Sequence, residues 1–182
     1  VDAPVTSDAR LIARASHVVL PGVGHAARAM HRLRENGLAA LVPKLTQPLL
    51  GICVGMQLLF ERSEEGDTEC LGILPGVVGA LPVSPAHRVP QMGWNRIRTG
   101  APRAAADPAR GAHPLLTGLD DAWMYFVHGF AAPATTSSTL ATSEHGSQFA
   151  AVVAQGDVMG VQFHPERSSR AGALLLQNFL AL

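Results

Sequence analysis

Residues 48–61 read PLLGICVGMQLLFE and place a cysteine between a short apolar run and a stretch with helical spacing. The run Pro48–Ile52 predicts a buried strand, and the residues from Val54 to Glu61 predict a helix. The segment Gly51–Gly55, with Cys53 at its centre, is a nucleophile-elbow pattern in which Cys replaces Ser. Its glycines suit a sharp strand-to-helix turn, because such a turn leaves no room for Cβ atoms beside the nucleophile.

The same order of elements occurs earlier in the chain. His17–Leu20 predicts a strand, Pro21–Gly24 a turn, and His25–Asn36 a helix. Strand, turn and helix repeated in this way indicate an α/β fold, with a mostly parallel central sheet flanked by helices. The remaining predicted elements are a helix from Ser7 to Ala15, irregular strands over Leu71–Ile97, a surface loop over Ala101–Pro114, strands at Met124–Val127, near Leu140, at Phe149–Ala154 and at Val158–Phe163, and a helix from Ser168 to Leu180.

Composition narrows the class of protein. The chain has 182 residues, and its 14 basic and 14 acidic side chains balance, which argues against a dedicated nucleic-acid binder. Its 18 Gly and 13 Pro interrupt it too often for a coiled coil, and its 47% hydrophobic content excludes general disorder. We expect residues 1–182 to form one domain.

The cysteines and apolar runs bear on compartment and metal binding. Two cysteines, Cys53 and Cys70, cannot build a disulfide framework or a CxxC zinc site, and we expect no metal. Residues 1–8 lack a basic start and an apolar core, so they predict no signal peptide. Apolar runs fall well short of the roughly 20 residues that a membrane span needs. We therefore expect a cytoplasmic protein.

Cys53 is the candidate nucleophile. At a helix N-terminus its thiol lies at the positive end of the helix dipole, which is expected to lower its pKa. The backbone N–H of Val54 would then be placed to bind an oxyanion. The alternative is a buried structural cysteine between two packing glycines.

His164 and Glu166 are the candidate base and its orienting acid. They lie in the stretch QFHPE, residues 162–166, directly after an apolar run. A nucleophilic cysteine needs a base, and a carboxylate can fix the tautomer of that base. In extended backbone the two side chains point to the same side. The alternative is a histidine at a strand end beside an incidental acid.

Gly22 and Gly24 form a turn that can present backbone N–H groups to an oxyanion. The turn lacks the spacing of both the dinucleotide-binding and the P-loop patterns, so a nucleotide site is disfavoured. The alternative is an ordinary connection between a strand and a helix.

Five stretches together resemble the class I (triad) glutamine amidotransferases. They read PGVG at 21–24, GICVGMQLLF at 51–60, PQMGWN at 90–95, YFVHGF at 125–130 and VQFHPERS at 161–168. Within that class the MGWN and YFVH segments are most similar to the glutaminase subunits of imidazole glycerol phosphate synthases, from histidine biosynthesis. The resemblance implies a flavodoxin-like fold and requires no cofactor.

The resemblance implies a role for each matching residue. Cys53 would attack the side-chain amide of L-glutamine, His164 would transfer the protons, and Glu166 would orient His164. The groups around the oxyanion would be Gly22, Gly24 and Val54. The amino-acid head of glutamine would be held by Gln57, Glu65 and the backbone at Gly129 and Phe130. The interface with a cyclase subunit, to which ammonia would pass, would include Trp94, Tyr125 and Arg167.

The family opens with an apolar strand, a glycine-containing loop and a helix, and none of these precedes Ser7 here. In a flavodoxin-like sheet the first strand is central, so we expect its absence to expose unpaired backbone and to leave a hole in the core. We therefore expect the chain as given to fold poorly alone. Two other functions stay open. One is the amidotransferase of another pathway, such as anthranilate or GMP synthesis, and the other is a catalytically impaired scaffold that only binds the partner.

Overall fold

The computed structural model describes residues 3–99 and 113–182, in which helices and strands alternate as far as Ser63 and strands predominate from there to the last helix. The α-helices are α1 (Ala9–Arg14), α2 (Ala26–Glu35), α3 (Leu38–Leu41), α4 (Val54–Gln57) and α5 (Ser169–Leu180). The strands are β1 (Val18–Gly22), β2 (Leu49–Cys53), β3 (Phe60–Ser63), β4 (Thr68–Glu69), β5 (Leu74–Ala80), β6 (Gln91–Arg96), β7 (Arg98–Thr99), β8 (Trp123–His128), β9 (Phe130–Ala131), β10 (Thr139–Glu144), β11 (Gln148–Gln155) and β12 (Val158–Val161). Single 3₁₀ turns span Val42–Lys44, Pro114–Leu116 and Pro165–Arg167.

The central sheet has six strands in the order β1-β2-β12-β11-β10-β7. The strands β1, β2 and β12 are parallel, whereas β11, β10 and β7 continue the sheet in antiparallel pairing. In register, Gly22 lies opposite Cys53, and Val161 lies opposite Ile52. The carboxyl ends of three parallel strands therefore meet at one edge, where an open α/β sheet places its ligand site.

Both faces of this sheet are covered, which confirms the α/β class. On one face α5 contributes Leu175 and Phe179 to a core that includes Leu50. On the other face α2 contributes Met30 to a core that includes Leu49. Adjacent residues of β2 point to opposite faces, as the pleat of a strand requires, so its apolar run is buried on both sides.

The predicted helix from Val54 to Glu61 is wrong in its length. The helix α4 ends at Gln57, and the chain re-enters extended structure at Phe60. There β3 pairs in parallel with β5, so that Phe60 lies opposite Leu74 in a four-stranded sheet of order β4-β3-β5-β9. A separate antiparallel ribbon is formed by β6 and β8.

Other element boundaries differ in detail from those predicted. The first helix is capped by Asp8, whose carboxylate accepts from the backbone N–H of Arg10 at 2.7 Å, and not by Ser7. The second helix has His25 as its cap, and the last helix is confirmed as α5. The predicted surface loop Ala101–Pro114 lies outside the described residues except at its last two positions.

Strand β1 forms one edge of the six-stranded sheet. Within the described residues it pairs with β2 alone, and Val19 on it is 44% exposed. The other side of β1 therefore has backbone N–H and C=O groups without a partner strand among the described residues.

Candidate active site

The turn from β2 to α4 holds Cys53 in a backbone conformation that side chains rarely adopt. Its φ of 53° and ψ of −113° place a non-glycine residue at positive φ. Such strain persists where the surrounding structure enforces it, and it is common at functional sites. Here the enforcing contact is Gly55, where a Cβ atom would lie 1.9 Å from the Leu20 carbonyl oxygen of β1. The elbow predicted from the glycine spacing is therefore present.

The sulfur of Cys53 is enclosed, with only 4% of the residue exposed. The thiol donates to the Val127 carbonyl oxygen at 3.8 Å, and the side-chain NH₂ of Gln162 donates to the sulfur at 3.8 Å. Burial is the main cause that raises the pKa of Cys53 from 9.0 to about 11. The backbone N–H of Val54 opposes this rise, and the charges of Glu166 and Glu65 add to it.

The prediction of a lowered thiol pKa is therefore wrong for this arrangement. The helix α4 has four residues, so it contributes little of the macrodipole on which that prediction rests. Burial and two carboxylates outweigh the single N–H donor at the helix start.

His164 and Glu166 form a hydrogen-bonded pair. The Nδ1 of His164 lies 2.8 Å from the Glu166 Oε1, so the carboxylate accepts the Nδ1–H and leaves Nε2 for proton transfer. His164 is held from behind, because its N–H donates to the Tyr125 carbonyl oxygen and its own carbonyl oxygen accepts from the Ser168 hydroxyl. The expected extended backbone is wrong here, since Pro165 starts a 3₁₀ turn that brings the carboxylate back to the ring.

One cavity of about 320 Å³ joins these groups. Val23, Val127 and His128 also line it. Ten predicted site residues line it: Gly24, Cys53, Val54, Gln57, Glu65, Gly129, Phe130, His164, Glu166 and Arg167. Residues from several separate segments thus converge at the carboxyl edge of the parallel strands, as a ligand site in an α/β sheet does.

Besides Glu166, the cavity wall presents a carboxylate, Glu65, and an amide, Gln57, that hydrogen bonds hold in place. The Glu65 Oε2 accepts the backbone N–H of Ala26 at 2.6 Å, so the acid caps the start of α2 at the cavity. The Gln57 NH₂ donates to the Phe130 carbonyl oxygen at 2.8 Å and to the Gln162 Oε1 at 3.0 Å. An anionic group and hydrogen-bonding amides side by side suit the two ends of a zwitterionic amino acid.

Comparison with known proteins agrees with this site. The sequence model of the glutamine amidotransferase class-I family matches residues 2–182. The chain belongs to the class-I glutamine amidotransferase family.

Relatives of this amidotransferase carry a more specific name. "Imidazole glycerol phosphate synthase subunit HisH" of Xanthomonas oryzae pv. oryzae is 50% identical over 183 residues, covering 100% of this chain and 86% of that protein. The protein of the same name in Xylella fastidiosa is 49% identical over the same share.

Solved structures share the fold of this amidotransferase. One described as a glutamine amidotransferase superposes with a TM-score of 0.72 at 19% identity, covering 100% of this chain and 86% of that one. A putative GMP synthase component from Thermoplasma acidophilum gives a TM-score of 0.66 at 16% identity, over 96% and 75% of the two chains. At these identities the likeness is one of fold.

Three predicted residues of the amidotransferase lie outside the cavity lining. Gly22 packs beneath the elbow, where a Cβ atom would lie 2.5 Å from the Gly55 nitrogen. Trp94 and Tyr125 face each other across the β6–β8 ribbon with ring centroids 6.0 Å apart. The Arg167 guanidinium lies 4.4 Å from the centre of the Tyr125 ring, so it joins the cavity to an exposed aromatic surface.

Sequence reasoning missed three residues of the amidotransferase site. Val127 supplies the carbonyl group that accepts the thiol proton, and Gln162 touches the sulfur. The Nδ1 of His128 lies 2.9 Å from the Phe130 carbonyl oxygen, and burial lowers the pKa of His128 from 6.5 to about 4, so the ring is neutral at pH 7. All three lie in stretches that carry the resemblance, yet spacing alone does not indicate what they contact.

Within residues 3–99 and 113–182, no three His, Cys, Asp or Glu side chains are grouped so that they could hold a metal ion. Across those same segments, no helix is long and apolar enough to cross a membrane.

Proposed function

We propose that this chain, as one amidotransferase domain over residues 1–182, is the glutaminase subunit of an imidazole glycerol phosphate synthase in the cytoplasm. It hydrolyses L-glutamine to glutamate and ammonia without a cofactor. The observation that carries the proposal is the strained Cys53 in one cavity with the hydrogen-bonded pair of His164 and Glu166. The 50% identity to subunits named HisH selects the synthase.

The reaction begins with attack on the amide. The Nε2 of His164 takes the thiol proton while the Cys53 sulfur bonds to the side-chain amide carbon of glutamine. The carbonyl oxygen becomes an oxyanion, to which the N–H of Val54 and the backbone of the turn at Gly24 donate. His164 then gives its proton to the leaving nitrogen, the carbon–nitrogen bond breaks, and ammonia departs.

Hydrolysis of the γ-glutamyl thioester completes the cycle. His164 takes a proton from a water molecule, whose oxygen attacks the thioester carbon. The carbon–sulfur bond breaks, the sulfur regains its proton from His164, and glutamate leaves. Glu166 keeps its hydrogen bond to Nδ1 in both half-reactions and stabilises the imidazolium each time it forms.

The cavity accounts for the choice of glutamine. The Glu65 carboxylate pairs with the α-amino group of the substrate, and Gln57 with the backbone at Gly129 and Phe130 holds the other polar groups. A cavity of about 320 Å³ suits an amino acid of this size.

Ammonia from this site serves a cyclase partner. Trp94 is 50% exposed and lies opposite Tyr125, whose ring also contacts Arg167, and Met92 on the same ribbon is 67% exposed. Exposed aromatic and arginine side chains grouped in this way are typical of an interface core. The cyclase uses the ammonia to form imidazole glycerol phosphate and aminoimidazole carboxamide ribotide.

Substitution of the nucleophile tests this function. With a cyclase partner present, Cys53→Ala is expected to abolish synthesis from glutamine and to preserve synthesis from added ammonium salt. Cys70→Ala is the matched control and is expected to retain both activities. Loss of both activities in Cys53→Ala would show that the thiol also matters for assembly with the partner. A folded wild-type complex that makes product from ammonium salt but not from glutamine would favour the scaffold alternative. Synthesis only with the partner of an anthranilate or GMP pathway would redirect the proposal to that pathway.

A further inference from the structure

Gln162 lies beside the nucleophile but belongs to a different strand. It follows β12, whose Val161 lies opposite Ile52 of β2, so the sheet register brings it level with Cys53. The residue is fully buried, at 0% exposure. A primary amide buried without partners costs several kcal/mol, so the bonds that Gln162 makes decide whether this position tolerates it.

The hydrogen bonds determine which way each amide points. The Phe130 carbonyl oxygen can only accept, so the Gln57 atom 2.8 Å from it is the NH₂ nitrogen. That nitrogen also donates to Gln162, whose facing atom at 3.0 Å is therefore the oxygen. The NH₂ of Gln162 is left on the other side, 3.8 Å from the Cys53 sulfur.

A hydrogen-bond donor at the sulfur acts against the influences that raise the pKa of the Cys53 thiol. Burial and the charges of Glu166 and Glu65 disfavour the thiolate, and the backbone N–H of Val54 favours it. An amide N–H directed at sulfur acts in the same sense as Val54, because a hydrogen bond to the charged form stabilises that form.

We propose that Gln162 is a positioning residue for glutamine hydrolysis, whose NH₂ orients and stabilises the sulfur of Cys53 while its carbonyl oxygen holds the substrate-binding amide of Gln57. This inference rests on the proposed function, and it gives Gln162 two roles, one at the sulfur of Cys53 and one at the amide of Gln57. One buried side chain thereby couples the placement of the nucleophile to that of the substrate.

Two substitutions distinguish the role of the Gln162 NH₂ group from that of its carbonyl oxygen. Gln162→Leu removes both the donor and the acceptor at similar volume. Gln162→Glu keeps an oxygen for Gln57 and places a negative charge at the sulfur in place of the donor. In the complex with the cyclase, the KM for glutamine is expected to rise about three- to tenfold for Gln162→Leu and to change by less than about twofold for Gln162→Glu.

The reactivity of the thiol is measured without turnover. Alkylation of Cys53 by iodoacetamide is followed across pH by mass spectrometry of the separated peptides. The rate at fixed pH is expected to fall about tenfold in both variants, since a thiol pKa one unit higher leaves about a tenth of the thiolate. Cys70, whose pKa burial also raises to about 11, is the internal reference and should react unchanged.

Gln91→Leu is the matched control for loss of a buried amide. Gln91 is 5% exposed and contacts His128 at 3.0 Å, away from the sulfur. A merely structural role for Gln162 would lower the thermal midpoint in all three variants and leave alkylation of Cys53 at the wild-type rate.

Wild-type alkylation rates in folded Gln162→Glu would overturn the proposal, and this variant decides the matter if Gln162→Leu fails to fold. The alkylation assay uses no glutamine. A failure of the proposed function, seen as absent glutamine hydrolysis by the wild-type complex, is therefore distinguishable from a failure of this inference.

Discussion

Substitution of Gly55 by Ala tests directly whether the close approach of β1 to the turn at Cys53 excludes a side chain at position 55. In Gly55→Ala the new Cβ atom would lie 1.9 Å from the Leu20 carbonyl oxygen and 2.9 Å from the Leu20 carbonyl carbon. Real Cβ atoms essentially never come within 3.0 Å of such atoms. Either β1 or the start of α4 must therefore move by about 1 Å, and both are backbone segments without a flexible end that could yield.

The displacement sets the size of the effect. Overpacking of this kind costs about 1–3 kcal/mol of unfolding free energy, and the rigid backbone on both sides puts Gly55→Ala at the upper end. Because Gly55 lies two residues after Cys53, a shift of about 1 Å also moves the nucleophile, and misplacements of that size can cost about 100-fold in rate.

Chemical denaturation and glutamine hydrolysis in the cyclase complex measure the two effects. The matched control is Gly79→Ala, where the added Cβ atom meets the Glu64 carboxylate at an ordinary 3.4 Å. We expect wild-type behaviour from the control, and from Gly55→Ala a loss of about 3 kcal/mol and about 100-fold in kcat. A Gly55→Ala variant as stable and as active as the control would refute the reasoning from close approach.

Three further predictions concern the base, a buried histidine and the exposed aromatic surface. Glu166→Gln is expected to lower kcat for glutamine by about 10²- to 10⁴-fold, since the amide no longer fixes the tautomer of His164, while thermal denaturation shows an unchanged midpoint. His128 is neutral in the fold down to about pH 4, whereas the unfolded chain binds that proton near pH 6.5, so stability is complete above pH 6.5 and falls towards pH 4. That loss is expected to reach about 3 kcal/mol and to be absent from His128→Gln in denaturant titrations across this range, and parallel pH profiles for the two proteins would contradict it. Trp94→Ala is expected to weaken cyclase binding by about 30-fold in calorimetry without changing the unfolding free energy by more than about 0.5 kcal/mol, and wild-type affinity would exclude Trp94 from the interface.

The strand-to-helix turn at Cys53 could be predicted because its cause is local. An apolar run predicts β2, and the glycines around Cys53 indicate a close approach that β1 supplies through Leu20. The length of α4 could not be predicted in the same way. The apolar Leu59 and Phe60 fit a helical stripe as well as the strand β3, and pairing with β5, distant in sequence, decides between them.

The chemistry of the site depends more heavily on distant contacts. The helix dipole at Cys53 can be predicted because the helix starts at the next residue. Glu166 lies 113 positions further along the chain, so its effect on the pKa of the same thiol cannot be predicted from the local sequence. The pairing of His164 with Glu166 is predicted for the wrong reason, because a 3₁₀ turn brings the two together. Gln162 lies within the stretch QFHPE, but its contact with sulfur exists only once β12 is seated beside β2.

The resting arrangement of the thiol has a consequence for activity. Because burial raises the pKa of Cys53 to about 11, the thiol is protonated at pH 7, and its proton is directed to the Val127 carbonyl oxygen. Low activity of the isolated chain is expected from this arrangement.

The expectation that the chain as given folds poorly alone stays a prediction, and a sharp cooperative melt in the usual mesophilic range would contradict it.

The most direct test of the central claim is glutamine hydrolysis by this chain, with and without a cyclase subunit loaded with an analogue of its substrate. We predict slow release of glutamate by the chain alone and strong stimulation by the loaded cyclase, with the stimulated activity lost in Cys53→Ala. Folded protein that releases no glutamate in either condition would contradict the claim that this site is a glutaminase.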